Sequence, residues 1–153
     1  MNIIELSKEE AKQLLKKICS EYKIEKDLSY LIKDFRWFMT KKEQKIYIVN
    51  KEIQSILKNI KNLKVEKYGI YIAKIEKDGI RLSIEGSQIF GPFSRKFVEV
   101  NVEEVLLGKK IKVDEKGEGY YLIKQKEYFA GTLKIKNGKV LTYISKNRRI
   151  GTE

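Results

Sequence analysis

The sequence contains no histidine, one cysteine and one proline among 153 residues. Without histidine, the common zinc sites and every Ser-His-Asp or Cys-His catalytic arrangement are excluded. A lone Cys19 excludes a disulfide framework. No apolar run approaches the roughly 18 residues of a membrane span, and no signal-peptide pattern opens the sequence. The expected compartment is therefore the cytoplasm. Carboxylates are numerous, but no pair stands out as an acid/base dyad. Glu9-Glu10 and Glu103-Glu104 fall in first helical turns, where they oppose the positive end of the dipole, and Asp114-Glu115 falls in a loop. Gly117-Glu118-Gly119 lacks the third glycine and the following helix of a phosphate cradle and reads as a hairpin loop. The expectation is a protein that is not an enzyme and holds neither cofactor nor metal.

What the sequence does have is positive charge. It carries 33 basic against 21 acidic residues, a net +12. Up to Ile89 there are 19 basic and 13 acidic residues, and beyond it 14 and 8, so the excess is no detachable tail. Each phosphate neutralised by Lys or Arg releases condensed counterions, which makes a polyanion the natural partner. A Lys-, Glu- and Ile-rich thermophile composition is the competing account of a charged surface. It does not by itself explain an imbalance this large.

Ser7-Lys8-Glu9-Glu10 has the form of a capping box. Ala11, Leu14, Leu15, Ile18 and Tyr22 continue it as an amphipathic stripe, with Cys19 adjoining as a small core residue and not a nucleophile. Asp27 is placed to cap a short second helix through Ile32. Lys45–Val49 reads as a strand, and Asn50 as the cap of a helix striped by Ile53, Ile56, Leu57 and Ile60. Tyr68–Ile75 and Ile80–Ile84 read as strands joined at Asp78-Gly79. Gly91-Pro92 holds the sole proline and marks the expected boundary between a unit over residues 1–92 and one over 93–153. Beyond it come a strand at Phe97–Val100, a helix over Val102–Leu107 capped by Asn101 and stopped by Gly108, and strands at Tyr120–Lys124 and Tyr128–Ile135. Asn137-Gly138 is a strong two-residue hairpin signal leading into Val140–Ile144. A short helix among several strands suggests a small closed or nearly closed barrel.

From Tyr128 to Thr152 there are six basic residues and no acidic one, ending in Ser145-Lys146-Asn147-Arg148-Arg149. Those cations can reach phosphates, and Arg can also stack on bases. They can equally form a solvated rim. Lys109 and Lys110 after Gly108 suit either RNA contact or the negative end of the short helix. Among the strand tyrosines Tyr120, Tyr121, Tyr128 and Tyr143, core packing accounts for most, leaving room for one outward-facing ring to stack a base.

KFVEVNVEEVLLGKKIKV and EYFAGTLKIKNGKVLTYISKNRRI resemble a PUA domain, the module shared by pseudouridine synthases and archaeosine transglycosylases. The second segment is similar to the closing strands of PUA domains joined to Sun-family RNA cytosine methyltransferases. Upstream, KIYIVNKEIQSILKNI and GIYIAKIEKDGIRLSIEGSQIFGP resemble the pre-PUA domain of a large-ribosomal-subunit biogenesis factor of archaea and eukaryotes. The resemblance implies an α+β protein, an N-terminal α/β pre-PUA-like domain followed by a C-terminal PUA-type β-barrel with one short helix. It implies non-catalytic binding of structured RNA, rRNA or tRNA, in ribosome biogenesis or beside an RNA methyltransferase acting in trans. Carried over by position, the RNA-binding residues would be Gly108, Lys109, Lys110, Lys146, Asn147, Arg148 and Arg149. The N-terminal unit offers no base-reading motif and is expected to dock a protein. An RNA-modifying enzyme subunit and a protein-interaction adaptor are the alternatives.

Overall fold

The structure, a computed structural model, describes residues 2–56, 62–107, 113 and 116–142. The chain is mixed α+β with two sheets. The first sheet has the order β1 (Ile3–Glu5), β2 (Phe35–Thr40), β3 (Lys45–Asn50), β4 (Ile70–Glu76) and β5 (Gly79–Leu82), every neighbouring pair antiparallel. The expected α/β character of this unit gives way to a meander. Its strands β2–β3 and β4–β5 are joined by turns too short for a parallel crossover.

Helix α1 (Lys8–Glu21) starts on the capping box foreseen for it: Ser7 Oγ accepts from the Glu10 amide at 3.1 Å, and the Glu10 carboxylate accepts from the Ser7 amide at 2.9 Å. Its stripe of Ala11, Leu14, Leu15, Ile18 and Tyr22 is buried, and Cys19 is half-buried at its margin. Asp27 accepts from the Ser29 amide one turn before α2 (Tyr30–Lys33), so it shapes the approach and does not cap the helix directly. These helices cover one face of the first sheet, where Trp37, Ile46, Ile48, Ile72 and Leu82 converge. Trp37 Nε1 donates to the Leu31 carbonyl at 2.8 Å, satisfying the one polar atom of that indole. Asn50 accepts from the Glu52 amide as α3 (Lys51–Ile56) begins; Leu57 and Ile60 lie outside the described residues. Helix α4 (Asn62–Tyr68) sets Val65 against Ile3, Phe38, Tyr47 and Val49 on the opposite face. Tyr68 thus ends a helix where the sequence suggested a strand start.

A larger departure follows β5. Residues expected to continue the strand turn into α5 (Ile84–Phe90), because the Ser83 hydroxyl accepts from the Gly86 amide and stops the ladder. Helix α5 is wedged between the two sheets. Gly86 faces β4, where an added Cβ would lie 1.9 Å from the Ile72 carbonyl oxygen. On the other side, Ser87 Oγ accepts from the Gly131 amide at 2.8 Å. The sole proline lies in a 3-10 turn, Gly91–Phe93, and Gly91 abuts the Phe129 ring.

The second sheet has the order β6 (Phe97–Glu99), β7 (Gly119–Gln125), β8 (Tyr128–Lys136) and β9 (Lys139–Thr142), with β6 parallel to β7 and the others antiparallel. Among the described residues these strands form an open sheet with β6 and β9 at its edges. Asn137 and Gly138 both have positive φ, the two-residue turn expected of them. Asn101 caps α6 (Val102–Leu106) by accepting from the Glu104 amide. Strand alternation then divides β7. Tyr121 and Ile123 join Val98 and Val105 in a small core, whereas Tyr120 and Leu122 join Phe129 in the large core built by the first sheet and α1. One hydrophobic core therefore spans both sheets.

Candidate nucleic-acid interface

Gly108, Lys109, Lys110, Lys146, Asn147, Arg148 and Arg149 lie outside the described residues. The strand tyrosines separate by burial. Tyr120 and Tyr121 are buried, and Tyr121 donates from its hydroxyl to the Gly117 carbonyl. Tyr128 is 74 % exposed, an outward ring at the β7–β8 hairpin; Tyr143 lies outside the described residues. The Gly117-Glu118-Gly119 stretch leads into β7, and most of the residues just before it lie outside the described ones. Its Glu118 carboxylate accepts from the Asn137 amide, tying it to the neighbouring hairpin turn.

A basic concavity lies elsewhere, between α1 and the segment that runs from Lys26 through α2. It has a volume of about 890 Å³. Lys8, Lys12 and Lys16 line one bank, Lys26 and Lys33 the other, with Lys51 from the start of α3. Its acidic members are Glu9 and Asp27. Glu9 pairs with Lys12 at 3.8 Å. Asp27 is held below the ordinary carboxylate range by the Ser29 backbone amide. Among the described residues, Lys8, Lys16, Lys33 and Lys51 form no ion pair, while Lys26 adds to the stabilisation of the Asp27 carboxylate. Leu15, Leu28, Ile32 and Cys19 form the floor, and burial pushes the Cys19 thiol upward. Sequence reasoning missed this site because its lysines come from three elements whose juxtaposition no local pattern reveals. The one local signal was the spacing of Lys8, Lys12 and Lys16, which stacks them on one helical face.

A second set of charges joins the two sheets. Asp78, in the β4–β5 turn, accepts from Lys134 on β8 and from the Tyr120 hydroxyl at 3.0 Å. The Lys134 ammonium, then Tyr120, hold the Asp78 carboxyl low. Glu21 accepts from the Ile80 amide at 2.7 Å, and burial pushes its carboxyl upward. Burial likewise lowers Lys96, whose Nζ lies 4.9 Å from the centre of the Tyr121 ring. This cluster ties the two sheets together through Asp78, shared by Lys134 and Tyr120, while Glu21 is held by the Ile80 amide. Because Asp78 is depressed in the folded state, its contribution is present above the unfolded value near 3.8 and is lost as pH falls through the lower folded value. Asp78→Asn is expected to cost at most about 1 kcal/mol at neutral pH, given its exposure. It should also flatten the loss of stability below about pH 4. Urea titrations from neutral to acid pH check both; an unchanged acid limb would remove Asp78 from this cluster.

Among the described residues no helix is long and apolar enough to cross a membrane, and no three His, Cys, Asp or Glu side chains are grouped to hold a metal ion. Compared with known proteins, the chain matches no family model and no curated sequence.

Proposed function

We propose that this chain is a non-catalytic RNA-binding protein acting on structured RNA, rRNA or tRNA, during its maturation. The observation that carries this reading is charge placement. The net +12 is spread through both halves of the chain and includes a C-terminal run of six basic residues without an acid. Protein–RNA affinity is built largely from such contacts to phosphate. The choice of rRNA or tRNA, in ribosome biogenesis or beside an RNA-modifying enzyme, comes from the PUA and pre-PUA resemblance. The order β6, α6, β7, β8, β9, with Asn101 capping the short helix, supports a PUA-type C-terminal unit, in which a closed barrel is the finer expectation.

The test is RNA binding as a function of salt. Wild-type protein should bind a structured RNA with log Kd rising linearly with log salt concentration. Changing Lys146, Arg148 and Arg149 together to Glu should weaken binding and reduce the slope by roughly two, at about 0.7 per lost contact to single-stranded phosphate. A wild-type protein that binds no RNA at low salt would overturn the reading.

A further inference from the structure

The sequence directs the N-terminal unit toward a protein, but the groove beside α1 has the chemistry of a nucleic-acid track. We infer that the groove between α1 and α2 is an RNA-contacting surface of its own, which takes a short single-stranded segment along its lysine-lined banks. The inference rests on the RNA-binding reading above and deepens it by naming a surface on the N-terminal unit.

Three observations favour RNA over an acidic protein. The first is charge: six lysines face one another across the groove, and both carboxylates there are already engaged, Glu9 by Lys12 and Asp27 by a backbone amide. The second is spacing. Lys8, Lys12 and Lys16 recur every four residues, about 6 Å along the helix axis at 1.5 Å per residue. A strand laid along α1, with a rise of about 3.4 Å per nucleotide when stacked, would meet a cation at roughly every second phosphate. The third is the floor. Leu15, Leu28 and Ile32 are already buried against the core, so they offer little fresh apolar surface to an incoming amphipathic helix. The lysines are the groove's distinctive feature, and a phosphate backbone meets them with the densest opposite charge. A cationic groove that tracks the backbone is how proteins hold single strands without reading sequence.

Cys19, the only cysteine of the chain, lies on the groove floor and serves as a reporter. Alkylation of wild-type protein by N-ethylmaleimide at mildly alkaline pH should slow several-fold when a short oligouridylate is added. Lys8→Glu, Lys12→Glu and Lys16→Glu combined should weaken oligouridylate binding on the order of tenfold or more and abolish that protection. Lys77→Glu, Lys116→Glu and Lys126→Glu, at exposed positions away from the groove, change net charge equally and should leave protection intact. RNA binding that survives the groove triple, with Cys19 alkylated at the free rate throughout, would overturn the groove while leaving the RNA-binding reading standing. Absence of RNA binding by the wild type would overturn both. Equal protection by polyglutamate of the same charge would assign the groove to an acidic polypeptide and overturn the inference. Should circular dichroism show the groove triple misfolded, protection of the wild-type thiol decides alone.

Discussion

Gly86→Ala is expected to be among the most damaging single-methyl changes in the chain. The added Cβ would lie 1.9 Å from the Ile72 carbonyl oxygen and 2.8 Å from the carbonyl carbon. Both are backbone atoms, so no side chain can rotate to make room; α5 or β4 must move. Overpacking of a close-packed interior costs about 1–3 kcal/mol and occasionally more. A helix wedged between two sheets belongs at or beyond the top of that range, a large fraction of the 5–15 kcal/mol typical of a whole domain. Gly138→Ala is the internal comparison. At Gly138 nothing lies within 4 Å of an added Cβ, but φ is +72°, so only backbone strain of roughly 1–2 kcal/mol applies. Urea melts of the two variants measure the difference. A Gly86→Ala protein no less stable than Gly138→Ala would mean that α5 is not held against β4 as described.

A fragment covering residues 1–92 is expected not to fold. Phe90 and Leu82 are sealed within a core that Tyr120, Leu122 and Phe129 complete from the second sheet. Cutting after Pro92 also removes Thr132, which donates to the Leu82 carbonyl, and Ser94, which donates to the Tyr22 carbonyl. Each large apolar side chain returned to water costs about 1.5–3 kcal/mol, and several are exposed together. The loss should consume the stability of so small a unit. Dispersed amide resonances and a cooperative melt from the fragment would contradict this. Partner searches should accordingly use the whole chain.

Legibility in the sequence followed the locality of each cause. Ser7 and Glu10, the stripe from Ala11 to Tyr22, Asn101 and the Asn137-Gly138 turn act over three to eleven residues, and each appears where its pattern placed it. Helix α5 was illegible because its sequence argues against it. Ile84 is β-branched and Gly86 costs a helix about 1 kcal/mol relative to Ala. Only the close approach to Ile72, across more than ten residues, makes glycine the residue that fits. Strands β1 and β2 escaped notice for a related reason: the consecutive apolar Trp37, Phe38 and Met39 interrupt the alternation that marks a strand buried on one face. The basic groove required three elements to meet before it existed. Of the residues proposed from the family resemblance to contact RNA, all fall outside the described structure. The groove lysines were visible only as an amphipathic helix's polar side.

Three of the sheet edges described above are short: β1 and β6 have three residues each, and β5 has four. A strand that brief presents too few free amides and carbonyls to recruit another chain edge to edge. Charge repulsion gives the free protein a second safeguard, but RNA would remove it by neutralising the lysines. Edge length is untouched by that neutralisation. An RNA complex of the kind proposed would keep at these three edges a purely geometric protection against fibrillar self-association.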